Sequence, residues 1–245
     1  MKSPARLILL ALFSAAAASA PAQESTSLQA VGFVRVTLER GAQTIVSLPF
    51  DAIDGEAQTV EDLIGATLPA NSSLVYWDTV SQSFRTERFQ RSGLGAPLQW
   101  SAGIGQSLKS FSRGEAFFLT IPANAPEESY ELIITGIVPD GPDSDTEIVL
   151  PEGLILMGVP YPVTTTIGNS DLNLDPRNGE SLNKWNNGWN RNGFSPPGVG
   201  QSPAWENAES TLKPGQGFFY RVQNGRTWSL TRSALYASPR SLETR

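Results

Sequence analysis

One short motif occurs twice in this chain, and it limits the possible folds more than any other feature. Residues 215–219 read GQGFF and follow Lys213-Pro214, so a tight turn leads into an aromatic strand. Residues 114–118 read GEAFF and place a similar turn and strand in the first half of the chain. A turn-strand unit that recurs in this way predicts two passes through one structural template.

Other residues follow the same template in both halves. Each half has a proline that ends an apolar strand, a tryptophan ahead of a hairpin, and an isolated tryptophan before the repeated motif. The sequence separation between partners shrinks steadily along the chain, which is expected when the second copy has shorter loops. The three pairs are Pro49 with Pro160, Trp77 with Trp185, and Trp100 with Trp205.

These pairs define the domain organisation that the sequence predicts. Residues 27–139 form the first β repeat and residues 146–236 the second. Residues 140–145, which are turn formers and acids, form an acidic linker between them. Residues 237–245 are expected to form a flexible polar tail. Whether the two repeats share one core is left open by the sequence.

Local patterns favour strands throughout. Short stretches of alternating apolar and polar residues are separated by turn residues, with 22 glycines and 18 prolines in the chain. One short helix is expected at residues 59–65, where Thr59 can cap, Asp62 completes a capping box and Gly65 ends the helix. We therefore predict an all-β fold of two tandem small antiparallel β-sandwich or barrel repeats with little helix.

Two residue types are missing from the sequence, and their absence limits the catalytic and metal-binding chemistry that the chain can support. The chain has no cysteine, which excludes disulfides, thiolate metal sites and a cysteine nucleophile. It has no histidine, which excludes a Ser-His-Asp triad and histidine-ligated metals. The formal net charge of −6, without a cluster of basic residues, argues against a nucleic-acid partner.

The first 22 residues have the pattern of a secretory signal peptide. Lys2 and Arg6 precede an apolar run that begins at residue 7, and residues 20–22 read APA, a small-x-small cleavage site that leaves Gln23 first. The alternative is a membrane anchor, but the apolar run is short for a span. We expect a secreted or cell-surface protein with no membrane span after cleavage. Export without cysteine favours a bacterial source.

The arrangement of motifs resembles a group of exported tandem-repeat proteins of unknown function, of the kind common in Verrucomicrobia and Planctomycetes. The resemblance covers nearly the whole mature chain and implies export and internal repetition, but no established activity. The first copy departs from the pattern, with Ser112-Arg113 where the second has Lys213-Pro214. The elements that carry the resemblance are residues 32–34, 75–77, Trp100, 114–118 and 136–138, and then residues 184–186, Trp205 and 212–219.

Tryptophan and asparagine are concentrated in the second repeat, and this is the first candidate site. An exposed indole can pack on the apolar face of a sugar while amides bond to its hydroxyls. The alternative is that these rings fill the core of a small β fold, with Asn-Gly turns between strands. Trp189 lies in an asparagine-rich hairpin and is expected to be the most exposed ring. The candidate carbohydrate-binding residues are Trp185, Asn186, Asn187, Trp189 and Asn190.

Acidic residues form a second candidate site, for Ca²⁺, which prefers oxygen ligands. The alternative is a hydrated linker. Residues 171–175 also match the first half of a calcium loop, but Pro176 replaces the required glycine and Leu182 the closing acid. The candidate metal ligands in and beside the linker are Asp140, Asp143, Asp145 and Glu147.

Catalysis without histidine would need two carboxylates facing each other across a cleft, as in glycosidases. Only Glu115 lies in an aromatic setting, and its counterpart in the second repeat is Gln216. We therefore predict a non-catalytic secreted structural or surface protein, such as an extracellular-matrix component. The alternative is a carbohydrate-binding module. Expected partners are a polysaccharide or other surface proteins, and no organic cofactor is expected.

Overall fold

The computed structural model describes residues 30–103, 105–139, 146–185 and 188–230. The predicted signal peptide, linker and tail lie outside these residues and stay predictions. The predicted all-β class is confirmed, because strands dominate the described chain and helix is confined to one turn of α-helix and one turn of 3-10 helix. No helix in the described part of the chain is long and apolar enough to cross a membrane.

The first half contains nine strands and helix α1. Their bounds are β1 Val31–Glu39, β2 Gln43–Ser47, β3 Gln58–Thr59, α1 Val60–Ile64, β4 Ser73–Asp78, β5 Ser83–Arg91, β6 Leu98–Ser101, β7 Ser110–Phe111, β8 Ala116–Thr120 and β9 Ser129–Ile137.

The second half also contains nine strands, with a 3-10 turn where the first half has its helix. Their bounds are β10 Thr146–Leu150, β11 Gly153–Gly158, β12 Thr165–Thr166, the 3-10 turn Asp171–Asn173, β13 Ser181–Trp185, β14 Trp189–Ser195, β15 Ala204–Trp205, β16 Thr211–Leu212, β17 Gly217–Val222 and β18 Arg226–Leu230.

The two halves have the same sheet topology. The first forms a five-stranded antiparallel sheet in the order β2-β8-β4-β5-β6, and the second forms β11-β17-β13-β14-β15. Each half adds two strand pairs, β1-β9 and β3-β7 in the first and β10-β18 and β12-β16 in the second. Neither five-stranded sheet closes into a barrel within the described residues. The strand order therefore repeats element by element.

Local sequence explains the short helix as expected. The Thr59 side chain accepts a hydrogen bond from the Asp62 N–H, and the Asp62 carboxylate accepts one from the Thr59 N–H at 2.8 Å. Gly65 follows with a positive φ of 60°, a conformation that glycine adopts without a steric penalty. The capping box predicted at this position is confirmed.

Each half has its own hydrophobic core, and a third core joins the halves. Phe117 belongs to the first core and Phe218 to the second. Their strand neighbours Phe118 and Phe219 point to the opposite sheet face, because successive side chains of a strand alternate. There they pack with Ile45, Ala116 and Leu156 into the third core.

The repeated glycine motif forms the contact between the halves. The Ser47 N–H donates to the Gly215 carbonyl at 3.0 Å, and the Gly158 N–H donates to the Gly114 carbonyl at 2.9 Å. Ser47 and Gly158 are equivalent residues of β2 and β11, and Gly114 and Gly215 are equivalent turn glycines. The halves are therefore related by an approximate two-fold axis, and each turn binds the edge strand of the other half.

Small residues are required where the edge strands meet. A Cβ added to Gly158 would lie 2.2 Å from the Ser47 Cβ, and one added to Gly217 would lie 2.3 Å from the Ile45 Cγ2. Atoms cannot approach this closely, so a larger residue at either glycine forces the halves apart.

We predict that Gly158→Ala destabilises the protein by about 2 kcal/mol, because overpacking at a close contact costs about this much. Ser47→Gly should recover part of the loss in the double variant, since it removes the nearest clashing atoms. Chemical denaturation measures both. Gly93→Ala is the matched control, because no atom lies within 4 Å of its added Cβ. An equal loss in the two single variants would contradict the close contact.

Candidate functional site

Six aromatic rings lie together where the halves meet, and we call them the aromatic cluster. The Phe118 and Phe219 centroids are 6.0 Å apart across the approximate two-fold axis. Trp77 lies 5.8 Å from Phe219, and Trp189 lies 6.3 Å from Phe118, so each half reaches the other's central ring. The cluster consists of Trp77, Phe84 and Phe118 from the first half and Trp185, Trp189 and Phe219 from the second.

The cluster has a buried base and an exposed surface. Phe118 and Phe219 are buried in the third core. Phe84 is 52% exposed, Trp189 49% and Trp185 37%. Large apolar side chains held half in water on a rigid base are characteristic of a recognition surface.

Cross-strand pairing positions the exposed rings. Trp77 is opposite Phe84 in the β4-β5 hairpin, and Trp185 is opposite Trp189 in the β13-β14 hairpin. Both pairs pack edge to face, with interplanar angles of 76° and 66°. Exposed, coplanar tryptophan rings would have favoured a carbohydrate-binding site with a flat sugar platform. Buried rings would have excluded such a site. The observed rings are half-exposed and tilted, so a sugar could stack on one ring at a time.

The asparagines near these rings differ in whether the structure describes them and in whether they are exposed. Asn186 and Asn187 lie outside the described residues. Asn190 is exposed, and its side-chain amide donates weakly to the Gly188 carbonyl at 3.4 Å. Asn192 is buried and makes two hydrogen bonds with the backbone of Asn207, which makes it structural. One asparagine of the candidate site, Asn190, is therefore both described and available to a ligand.

Other aromatic residues of the second repeat belong to its core. Trp205 and Tyr220 are buried, and the Trp228 side chain lies outside what the structure describes. The Tyr220 hydroxyl donates to the buried Glu180 carboxylate, which also pairs with Arg226 at 3.3 Å. Burial raises the pKa of Tyr220 far above its usual value. This network ties β17 and β18 to the loop that ends at Glu180, just before β13, and its role is structural.

Two hairpin residues hold the edge of β11. The Trp77 indole N–H donates to the Leu154 carbonyl at 2.6 Å. The Gln82 side-chain amide accepts from the Leu154 N–H at 3.2 Å and donates to its carbonyl at 3.4 Å. The equivalent indole, that of Trp185, has no hydrogen-bond partner among the described residues. The two halves therefore differ in this detail.

Sequence reasoning missed Trp77, Phe84, Phe118 and Phe219 as members of the candidate site. Trp77 and Phe118 were assigned to the repeat template and not to a surface. The one available signal was the β4-β5 hairpin, since aligning its two strands in sequence would have placed Trp77 opposite Phe84. The packing across the axis gives no local sequence signal.

The predicted calcium ligands receive no test. Asp140, Asp143 and Asp145 lie outside the described residues, and Glu147 is in β10 with its side chain undescribed. In the loop at residues 171–175, the Asp175 carbonyl accepts a hydrogen bond from Arg226 at 2.9 Å. Within residues 30–103, 105–139, 146–185 and 188–230, no group of three acidic side chains is placed to hold a metal ion. Calcium binding stays a prediction.

Two acids of the first half lie near aromatic rings, and each has a contact with Lys109. Glu115 forms an ion pair with Lys109 at 2.9 Å. Glu87 is buried and accepts a hydrogen bond from the Lys109 backbone N–H at 2.6 Å. Burial raises the pKa of Glu87 despite this bond. These contacts tie the segment before β8 to β5.

No protein-family model, no curated protein and no solved structure matches the chain.

We predict that Trp77→Phe destabilises the protein by about 1 kcal/mol more than Trp185→Phe does. Of these two indoles, only that of Trp77 donates a hydrogen bond to a described residue, and such a bond contributes about 1 kcal/mol. Thermal or chemical unfolding of the two variants measures the difference, and the two positions serve as controls for each other. Equal losses would mean that the bond to Leu154 contributes nothing.

Proposed function

We propose that the protein is a non-catalytic exported surface protein, which is held at the cell surface or in the surrounding matrix through its aromatic cluster. The observation that carries the proposal is the exposure of Phe84, Trp185 and Trp189 on a buried base that both halves supply. The signal-peptide pattern and the resemblance to exported tandem-repeat proteins support a site of action outside the cytoplasm.

The rigidity of the cluster supports a role in recognition. Each exposed ring packs edge to face on at least one neighbour, as Trp189 does on Trp185 at 5.0 Å. Trp189 also lies tilted against Phe219 at 5.4 Å. Rings already held in place lose little conformational freedom when a partner docks. Aromatic side chains also dominate the energetic centres of interfaces.

A carbohydrate is the second candidate ligand, and one observation favours it. Trp185 and Trp189 are half-exposed in the hairpin that also carries the exposed Asn190. A single indole face with a nearby amide can bind one sugar residue. The 66° angle between the two rings favours a bent or branched chain over a flat one.

We predict that Phe84→Ser with Trp189→Ser releases the exported protein from the cell surface into the medium. We expect the bound fraction to fall by about tenfold or more, since loss of two aromatic anchors costs at least about 1.4 kcal/mol. Fractionation and immunoblotting of the cells measure it. Leu94→Ser with Val199→Ser is the matched control, because both are exposed apolar residues outside the cluster. Equal retention of the two double variants would contradict the proposal.

The carbohydrate candidate has its own test. Tryptophan fluorescence with acrylamide quenching is measured against a panel of soluble polysaccharides, with the wild type and Trp189→Ala. If the candidate holds, one polysaccharide protects the quenchable indoles of the wild type and gives about tenfold weaker protection in the variant. Trp205→Phe, a change at a buried ring, should leave the protection intact. Indifference to every polysaccharide would remove this candidate.

A further inference from the structure

Two equivalent grooves run along the contact between the halves, one beside each edge strand. The β11 groove, of about 560 Å³, lies between β11 and the β4-β5 hairpin. The β2 groove, of about 660 Å³, lies between β1, β2 and the turn that precedes β17. The residues of the β2 groove used below are Arg35, Gln43, Lys184, Trp185 and Lys213.

The direction of backbone groups along β2 follows from its hydrogen bonds. The Ser47 N–H points to the second half, because it donates to Gly215. Backbone groups of alternate strand residues point the same way, so those of Gln43 also point away from β8. The Ala42 carbonyl points to β8, since it accepts from the Ile121 N–H at 3.2 Å. The edge of β2 at Gln43 therefore faces the β2 groove.

The equivalent edge of β11 is already occupied. Its residue Leu154 corresponds to Gln43, and the Gln82 amide binds both the N–H and the carbonyl of Leu154. A primary amide that accepts from an N–H and donates to the carbonyl of one residue acts as one residue of an added strand. The protein thus supplies its own cap to the edge of β11.

Within the residues that the structure describes, the second half supplies no such cap to β2. Six residues lie between Trp77 and Phe84, but only three lie between the equivalent Trp185 and Trp189. No described residue of the shorter hairpin is a counterpart of Gln82. Gln43 is exposed, and its backbone N–H and carbonyl have no partner in the described chain on the groove side. The β2 groove therefore contains a free strand edge.

The β2 groove also carries two lysines that form no ion pair with a described acid. The Lys184 ammonium donates to the Ser210 hydroxyl at 2.7 Å, and neither Lys184 nor Lys213 forms an ion pair with a described acid. Partial burial and the proximity of Lys213 lower the pKa of Lys184. In the β11 groove, by contrast, Lys109 is neutralised by Glu115. At the rim, Arg35 pairs with Glu131 at 3.2 Å, and Glu39 is the acid that lines the β2 groove.

We propose that the β2 groove binds an extended, acidic segment of a separate protein, which adds as a strand to the free edge of β2 at Gln43. The backbone of that segment takes the place that the Gln82 amide has at β11. Its acidic side chains lie against Lys213 and Lys184, and an apolar side chain contacts the half-exposed ring of Trp185. Addition of a strand to an exposed edge is a general mode of peptide recognition.

This surface shares Trp185 with the aromatic cluster, but it does not include the two residues that the surface-retention test changes. Phe84 and Trp189 do not line the β2 groove, so the Phe84→Ser, Trp189→Ser variant should still bind the peptide. The two proposals can therefore fail independently.

The test uses the full mature protein and a fluorescein-labelled peptide of sequence Glu-Val-Asp-Val-Glu, blocked at both ends. Fluorescence anisotropy should show binding that weakens by about tenfold in Lys213→Glu, because the charge reversal opposes the acidic side chains. Arg88→Glu is the matched control, since Arg88 is exposed outside the groove. The Lys-Val-Lys-Val-Lys analogue should not bind. Failure of the acidic peptide to bind, or an equal effect of the two variants, would overturn the proposal.

A second experiment tests the backbone hydrogen bonds between the peptide and Gln43. A peptide N-methylated at the central Asp loses the donor of the added strand and should bind about tenfold more weakly. Hydrogen exchange followed by NMR should show the Gln43 amide fast in the free protein and slowed by the peptide. Equal binding of the methylated peptide, or binding of polygalacturonate in place of the peptide, would overturn strand addition. Slow Gln43 exchange in the protein alone would assign the groove to its own chain or, if it depends on protein concentration, to a second copy.

Discussion

Two reciprocal backbone hydrogen bonds across the approximate two-fold axis, from Ser47 to Gly215 and from Gly158 to Gly114, determine how the rest of the structure is arranged. They require a turn glycine in each half with positive φ, 78° at Gly215 and 84° at Gly114. They also require small residues where the edge strands meet. Once the bonds form, one face of each five-stranded sheet is held against the other half. Phe118 and Phe219 are then buried and become the base of the aromatic cluster.

The two halves share a topology but differ in the length of their hairpins, and this difference makes the two strand edges unlike. The longer β4-β5 hairpin reaches across the contact and covers the edge of β11 through Gln82. The shorter β13-β14 hairpin brings Trp185 and Trp189 together at the surface, and none of its described residues covers the edge of β2 at Gln43. A symmetric pair of repeats would have two closed grooves. Loop length, and not fold, therefore separates a structural edge from a candidate binding edge.

Much of the fold could be predicted because its signals are local. Strand periodicity, the capping box at Thr59 and the recurrence of the GxxFF motif are all visible within a few residues. The contact between the halves could not be predicted in the same way. Phe117 and Phe118 are both apolar, and only the three-dimensional packing decides that one enters the first core and the other the third. The exposure of Trp189 follows from its hairpin, but its partnership with Phe118 depends on residues far away in sequence.

The two halves form one unit through the reciprocal bonds, and amide hydrogen exchange at Ser47 and Gly158 is the measurement that decides this. Both N–H groups are donors across the contact. If the halves separate only on global unfolding, both amides exchange as slowly as those in the two cores. Exchange of either amide at the rate of an exposed loop amide, while the cores stay protected, would show that the halves come apart in the native protein and would contradict the account.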